Sequence, residues 1–342
     1  MLPTYFLAIE TSCDETAAAV FTEKSAILAN VIASQTDLHA RFGGVVPEVA
    51  ARAHLQRLLP VIDEALKLAG IQLSQVGCVA VHNTPGLVGA LLVGVSAAKM
   101  LAVALKVPLI AVNHIEAHVY ACRLAAGRDI FPCVGLVVSG GHTCLFHCRS
   151  ALDFELLGST LDDAAGEAFD KVASILGLGF PGGPAVEREA ASGNPKEFRF
   201  PRSLLNDERL DFSFSGLKTA VLYTVHGQDL ARGIPPPAGQ RRADLAASFQ
   251  QAVIDVLVEK SRRTLHRTGL ERLAVGGGVA ANQALRAALE SMVQEEHAEL
   301  FIPPLKLCTD NAAMAALAVE KWRQQQYSQL DLDAIPAYTA GT

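Results

Sequence analysis

The sequence predicts an α/β fold of two duplicated lobes with a cleft between them, on three observations. The chain has 342 residues, enough for two separate cores. Half of it is hydrophobic but only 6% is aromatic, so Ala, Val, Leu and Gly supply an apolar volume suited to closely packed helix and sheet layers. The two halves also repeat one order of elements: a hairpin-like set of strands, then alternating helices and strands. That order implies parallel crossovers and sheets covered on both faces.

The first half opens with a strand at residues 6–9, a polar turn from Glu10 to Thr16, and further strands at 17–21 and 27–32. Helices follow near 49–69 and 88–104, and a strand at 79–82 ends in Asn83-Thr84-Pro85-Gly86. The second half opens with a strand at 134–138, the tight turn Ser139-Gly140-Gly141-His142, and strands at 143–146 and near 154–157. Its helices fall near 166–176 and 245–267, and a strand at 273–275 ends in Gly276-Gly277-Gly278. The expected lobes are residues 1–112 and 113–309, with a C-terminal helix at 310–326 packing back onto the first. Residues 178–240 read as an insertion in the second lobe, extended where Gly, Pro and charge dominate. Residues 227–239, with Pro235-Pro236-Pro237, read as a surface loop. A duplicated β-β-β-α-β-α unit is the pattern of the actin, hexokinase and Hsp70-ATPase fold (RNase H-like), which binds nucleotide between its lobes.

Bulk properties narrow the function. A net charge of −6 argues against broad nucleic-acid binding. Local basic clusters remain as phosphate candidates: Arg199, Arg202 and Arg209 with Lys218, then Arg241 and Arg242, then Arg262, Arg263 and Arg267. Seven cysteines without framework spacing fit free thiols in a reducing cytoplasm. The first twenty residues lack a basic n-region and include Asp14 and Glu15, so no signal peptide is expected. The most apolar stretch, residues 86–112, is interrupted by Lys99, Lys106 and Pro108, which suits a buried helix and strand better than a membrane span.

His114-Ile115-Glu116-Ala117-His118 carries the most chemistry. Imidazoles at i and i+4 share one helix face, close enough to grip one metal ion. A strand at 108–112 leads into the pair, and such strand–helix junctions are where α/β folds bind ligands. The motif is not the His-Glu-x-x-His of zinc peptidases, because Glu116 sits two places after the first histidine, on the opposite side of the helix. Asp310 has two readings: an N-cap of the last helix, shared with Thr309, or a third ligand completing a two-His, one-carboxylate set with open positions. Three turns that follow strands resemble phosphate cradles: residues 139–143, 276–278 and the hydroxyl- and carboxylate-rich 9–16. The glycines at 276–278 are expected to open a helix whose positive end faces phosphate. None matches the P-loop or Gly-x-Gly-x-x-Gly patterns.

Together these residues resemble the tRNA N6-adenosine threonylcarbamoyltransferase family, whose bacterial member was once labelled a glycoprotease. The resemblance runs through residues 9–16, 43–48, 113–118, 137–143, 162–171, 181–184, 211–219, 275–282 and 308–313. It implies transfer of a threonylcarbamoyl group from threonylcarbamoyl-AMP to N6 of adenosine 37 in tRNAs reading codons that begin with A. It also implies a divalent transition metal, Fe2+ favoured over Zn2+, on His114, His118 and Asp310. Adenylate contacts fall on Val137, Val138, Ser139, Gly140 and Gly141, with Asp170, Gly183 and Asn282 behind them. Glu187 stands where the family commonly has aspartate. From the chemistry, Asp14 or Glu15 is expected to orient the amine or take its proton, the alternative being a turn carboxylate that caps. The implied partners are tRNA, a smaller paralogue of the same fold and a separate P-loop ATPase, with no membrane. The helices near 49–69 and 88–104 are the expected face for the paralogue. An ATP-dependent sugar or acyl kinase of the same fold is the main alternative, but it gives His114 and His118 no role. An Hsp70-like binding module would need a peptide domain for which the chain has no room, and a metallopeptidase lacks its general base.

Overall fold

The computed structural model describes residues 4–227 and 235–337, so part of the loop expected at 227–239 lies outside the described residues. The chain divides into two compact units. The first holds residues up to 129, 150–154 and those from 303 onward; the second holds 130–149 and 155–302. The first unit thus continues past the expected boundary after residue 112.

The sheet of the first unit contains β1 (Tyr5–Glu10), β2 (Glu15–Thr22), β3 (Ile27–Ser34), β4 (Val76–Thr84) and β5 (Leu109–Asn113). Their spatial order is β3-β2-β1-β4-β5. β1 to β3 pair antiparallel, while β4 pairs parallel with both β1 and β5. The second sheet contains β6 (Cys133–Val138), β7 (Thr143–Ser150), β8 (Asp153–Ser159), β9 (Arg272–Gly276) and β10 (Glu299–Phe301), in the order β10-β9-β6-β7-β8. The two orders are the same arrangement twice.

Period-two alternation builds the first core on both faces of its sheet. Leu7, Ile9, Ala18, Val20, Val79 and Val81 pack against α2 (Pro47–Ala69) and α3 (Val88–Leu105). On the other face, Phe6, Ala8, Cys78, Ala80, Ile110 and Val112 pack against α4 (His114–Ala126) and the segment 312–319. α1 (Thr36–Ala40) is a short turn before α2. α3 is long and apolar enough to cross a membrane by length and composition, yet it buries Ala90, Leu91, Gly94, Val95, Ala98 and Ala102 within its unit.

The region 178–240 is more helical than expected. It holds α6 (Gly182–Ala190) and α7 (Ser215–His226), which follow α5 (Ala165–Ile175). The start of α7 is capped from a distance. The Asp162 carboxylate accepts the backbone N–H groups of Phe214 and Ser215 and the hydroxyls of Ser213 and Ser215. No local pattern announces a cap supplied from about fifty residues upstream. α8 (Gly239–Thr268) and α9 (Gln283–Glu295) complete the unit.

The C-terminal helix expected at 310–326 is instead two pieces. α10 (Leu305–Cys308) precedes Asp310, and a 3-10 turn (Ala312–Leu317) leads into α11 (Ala318–Arg323). Segment 312–319 lies in the core of the first unit. Neither Thr309 nor Asp310 caps the turn. Asn311 does, its side-chain oxygen accepting from Met314 N.

Candidate functional site

Three adjacent parallel strands end at the same edge of the first sheet. On the α4 side their inward positions run Phe6-Ala8-Glu10 on β1, Cys78-Ala80-His82 on β4 and Ile110-Val112 on β5, after which His114 opens α4. Each face changes from apolar to polar in one step at the carboxyl end, where α/β sheets bind ligands. Asn113 starts α4 there by accepting the N–H groups of Ile115 and Glu116. Glu10 is fully buried, and its Oε2 lies 2.7 Å from Nδ1 of His82 and 3.0 Å from Nδ1 of His114. Neither Glu10 nor His82 was given a role by sequence. Glu10 was detectable as a charge two places beyond Ala8 on a core-facing register.

His114, His118 and Asp310 present ligand atoms that all lie within 4.8 Å of one another. Oδ1 of Asp310 is 3.4 Å from Nε2 of His114 and 3.3 Å from Nε2 of His118. The rings meet edge to face with centroids 4.7 Å apart. Asp310 is delivered by its neighbour: the Asn311 side chain donates to Thr309 O and accepts from Asn30 of β3, which pins the loop to the sheet. Glu116 is placed elsewhere, where burial raises its pKa against the opposing charge of Lys321.

The residues fit a divalent metal on three grounds. His118 is buried, yet neither ring nitrogen has a hydrogen-bond partner, a costly state that a coordinate bond would relieve. Burial lowers the pKa of His118 and keeps it neutral, as a ligand must be. Burial also acts to lower His114, but Asp310 and Glu10 overcome it and push that imidazole up to about 10. Burial would raise Asp310, but His114 and His118 hold it well below the usual carboxylate range. A field that binds a proton so firmly between two carboxylates is one a divalent cation would occupy in its place.

Asp14 and Glu15 lie at the turn into β2. Burial raises Asp14, and the charge of Asp310 adds to the shift, so the two carboxylates sense one another. Burial and then Asp14 push Glu15 up to about 8. Glu15 Oε1 accepts from the Ser34 hydroxyl at 2.9 Å, while buried Oε2 has no hydrogen-bond partner. Behind the turn, His54 Nε2 lies 3.0 Å from the Cys13 carbonyl.

All nine sequence-predicted adenylate residues belong to the second unit, where contacts link their segments in a circuit. Val137 and Val138 end β6, and the Ser139 hydroxyl accepts His142 N to close the turn. Gly166 at the start of α5 backs onto that turn; a Cβ there would stand 2.5 Å from Ser139 O. Asp170 of α5 accepts Gly182 N at the start of α6. Glu187 of α6 accepts Gln283 N, and Asn282 caps α9 by accepting Leu285 N while donating to Gln250. Gly277 closes the ring beside Val138. Glu187 and Asn282 therefore serve the start of α9, whatever else they touch.

The glycines fall into two kinds. Gly277 has φ +97°, and a Cβ there would lie 2.3 Å from Val138 O, so the fold itself requires it. At Gly140, Gly141 and Gly183 a Cβ would meet nothing within 4 Å. Packing within the described chain does not explain these three. The expectation that residues 276–278 open a helix is corrected. They lead into a four-residue 3-10 turn (Gly278–Ala281), and α9 begins later, at Gln283.

The basic clusters are largely neutralised. Arg202 pairs with Asp255, Arg209 with Asp207, Lys218 with Asp163, and Arg242 with Glu189. Arg262 and Arg263 pair with Glu259, and Arg262 also with Glu295. The strip around Arg202 and Lys218 is thus less available to phosphate than the sequence suggested.

Comparison with known proteins bears on both units. The family model described as tRNA N6-adenosine threonylcarbamoyltransferase matches residues 26–317. The protein of that name from Rhodopirellula baltica is 52% identical over 98% of this chain and 97% of its own length. Its counterpart from Symbiobacterium thermophilum is 52% identical over 98% and 96%. Among solved structures, full-length HypF in its phosphate- and nucleotide-bound form superposes with a TM-score of 0.62 at 14% identity. It covers 95% of this chain and 56% of that one, a likeness of fold alone. With a family match spanning most of its length and relatives identical at half their positions, the chain belongs to the tRNA N6-adenosine threonylcarbamoyltransferase family.

Proposed function

We propose that the protein transfers the threonylcarbamoyl group of threonylcarbamoyl-AMP to N6 of adenosine 37 in tRNAs reading codons that begin with A. The observation that carries this reading is the convergence of His114, His118 and Asp310 in a chain of this family. A kinase would leave the imidazole pair without work.

The donor is a mixed carbamic–phosphoric anhydride. Backbone N–H groups at Gly140 and Gly141 bind its phosphate, and the absence of side chains lets the oxygens approach. His114, His118 and Asp310 would hold a divalent metal, Fe2+ favoured over Zn2+, which when bound would supply Lewis acidity to the reaction. Asp14 orients the incoming amine. As the N6–C bond forms and the C–O bond to phosphate breaks, AMP leaves with the electron pair and Oε2 of Glu15 takes the N6 proton. A carboxyl titrating near 8 is matched to that task. Mixing the protein with threonylcarbamoyl-AMP and unmodified tRNA tests the reading. AMP release should match a threonylcarbamoyl mass gain on the tRNA adenosine; AMP release with no gain on tRNA would sink it.

Glu15→Gln should lower the transfer rate about 10²- to 10⁴-fold while leaving metal content and adenylate affinity unchanged. In the parent protein the rate should rise with pH through about 8 as Glu15 ionises, and the variant should lose that limb. Stability should follow the opposite sign. From the unfolded value of 4.5 up to about 8 the folded chain holds a proton the unfolded chain has lost, so unfolding becomes easier as pH rises. Melting temperatures of both proteins across that window read this directly.

The cytoplasmic assembly includes a smaller paralogue and a P-loop ATPase. Supporting the first is a set of exposed apolar side chains on the first unit: Leu55 and Leu59 of α2 are 68% and 70% exposed, and Met100 and Val103 of α3 are 68% and 53% exposed. Leu59→Glu with Met100→Glu should weaken binding of the paralogue at least tenfold by calorimetry, and wild-type affinity would count against this face. With its arginines largely paired, the chain takes part of its tRNA phosphate contacts from these partners, so adding them should raise tRNA affinity and its salt dependence.

A further inference from the structure

Of the three polar groups Glu10, His82 and His114 gathered at the carboxyl ends of β1, β4 and β5, only His114 has a place in the reaction so far. Glu10 is fully buried on a face otherwise made of Phe6 and Ala8, where an apolar residue would complete the packing. Its carboxylate is instead ringed by donors. Oε1 accepts the Ser12 backbone N–H, and Oε2 faces Nδ1 of His114 at 3.0 Å and Nδ1 of His82 at 2.7 Å. Two hydrogen bonds, from Ser12 N–H and His114 Nδ1, with the His82 ring beside them, explain how the charge is tolerated, not why it is there.

The answer lies in the ring it touches. A neutral imidazole has one N–H, and the partner of one nitrogen decides which nitrogen keeps its lone pair. An acceptor at Nδ1 holds the proton there. The Ser12 hydroxyl, 3.1 Å from the same nitrogen, is a second acceptor. Once an ion displaces the proton from Nε2 of His114, that nitrogen is left as a lone pair on the side of Asp310 Oδ1, 3.4 Å away. We propose that Glu10 is a positioning residue for the metal centre, locking His114 as the Nδ1–H tautomer with Nε2 toward the ion, and that His82 holds Glu10 in place. Carboxylates that orient a liganding histidine in this way raise its basicity, and their loss typically weakens metal binding 10- to 100-fold. Glu10 and Asp310 also bring two negative charges to the site, which matches a divalent ion. This inference rests on the metal reading above.

The test uses the full chain loaded with Zn2+ and 15N-labelled at histidine. Nitrogen shifts should show His114 protonated at Nδ1 and zinc-bound at Nε2, with the Nδ1 proton signal shifted or lost in Glu10→Ala. Glu10→Ala should weaken Zn2+ binding 10- to 100-fold and speed its release to a chelator by a similar factor. The near-isosteric Glu10→Gln, whose amide oxygen still accepts from Nδ1, should recover part of the loss yet bind several-fold more weakly than the parent. His82→Asn should cost a few-fold. Zinc bound at Nδ1 of His114, or parental affinity and release rate in Glu10→Gln, overturns the proposal. His118→Ala separates the two levels. If Zn2+ binding survives it, the metal reading fails and takes this inference with it; if binding is lost there but unchanged in both Glu10 variants, only this inference fails.

Discussion

Replacing His114 and His118 together with alanine should take the protein from about one bound transition metal per chain to none. Two of three ligands disappear, and a lone carboxylate is a weak site. The fold should survive. α4 keeps its Asn113 cap and the buried Ile115, Val119 and Tyr120, and alanine is the better helix former. His118 makes no hydrogen bond whose loss would matter, and Glu10 retains Ser12 and His82. The rate of transfer to tRNA should fall by about 10³ or more, the kinetic equivalent of about 4 kcal/mol of lost charge stabilisation. Elemental analysis and a melting curve on the same sample decide the matter. Full metal occupancy in a folded double variant would falsify the site.

The second large effect belongs to the other unit. Gly140→Val places a branched side chain where nothing in the described chain stands within 4 Å, so folding should be nearly untouched. What it removes is the approach of phosphate to the backbone. Losing one or two hydrogen bonds to a charged group, each about 1.5–3 kcal/mol, corresponds to roughly a 10- to 10⁴-fold drop in affinity for AMP. Gly277→Val is the contrasting control: with φ +97° and Val138 O 2.3 Å from its Cβ, it should lower the melting point instead. Calorimetry that finds Gly140→Val binding AMP as tightly as the parent removes these turns from the nucleotide site.

Much of this was legible in the chain because it is encoded over short distances. Short continuous apolar runs located β1, β2, β4, β6 and β9, and four-residue spacing put His114 and His118 on one side of α4. What escaped depends on partners far away in sequence. α7 owes its start to Asp162, and the 3-10 turn after Asp310 owes its start to Asn311, which is fixed by Asn30. Thr309 and Asp310 looked equally able to cap, and nothing local distinguishes them from Asn311. Glu10 and His82 sat in plain view, but their meaning comes from strand register: only once β1 pairs β4, and β4 pairs β5, do residues 10, 82 and 114 meet.

The first unit is discontinuous, and that has a consequence for the protein's birth. Its candidate ligands His114 and His118 emerge from the ribosome nearly two hundred residues before Asp310, and the segment 312–319 that helps fill one face of its sheet comes later still. The second unit is complete once residue 302 is out. During synthesis it therefore has every element it needs to fold while the first waits with a sheet face covered only by α4. Nascent chains arrested after residue 302 has left the exit tunnel but while Asp310 is still inside it should hold a protease-resistant second unit and no metal, so that loading of the ion becomes a report that translation is nearly finished.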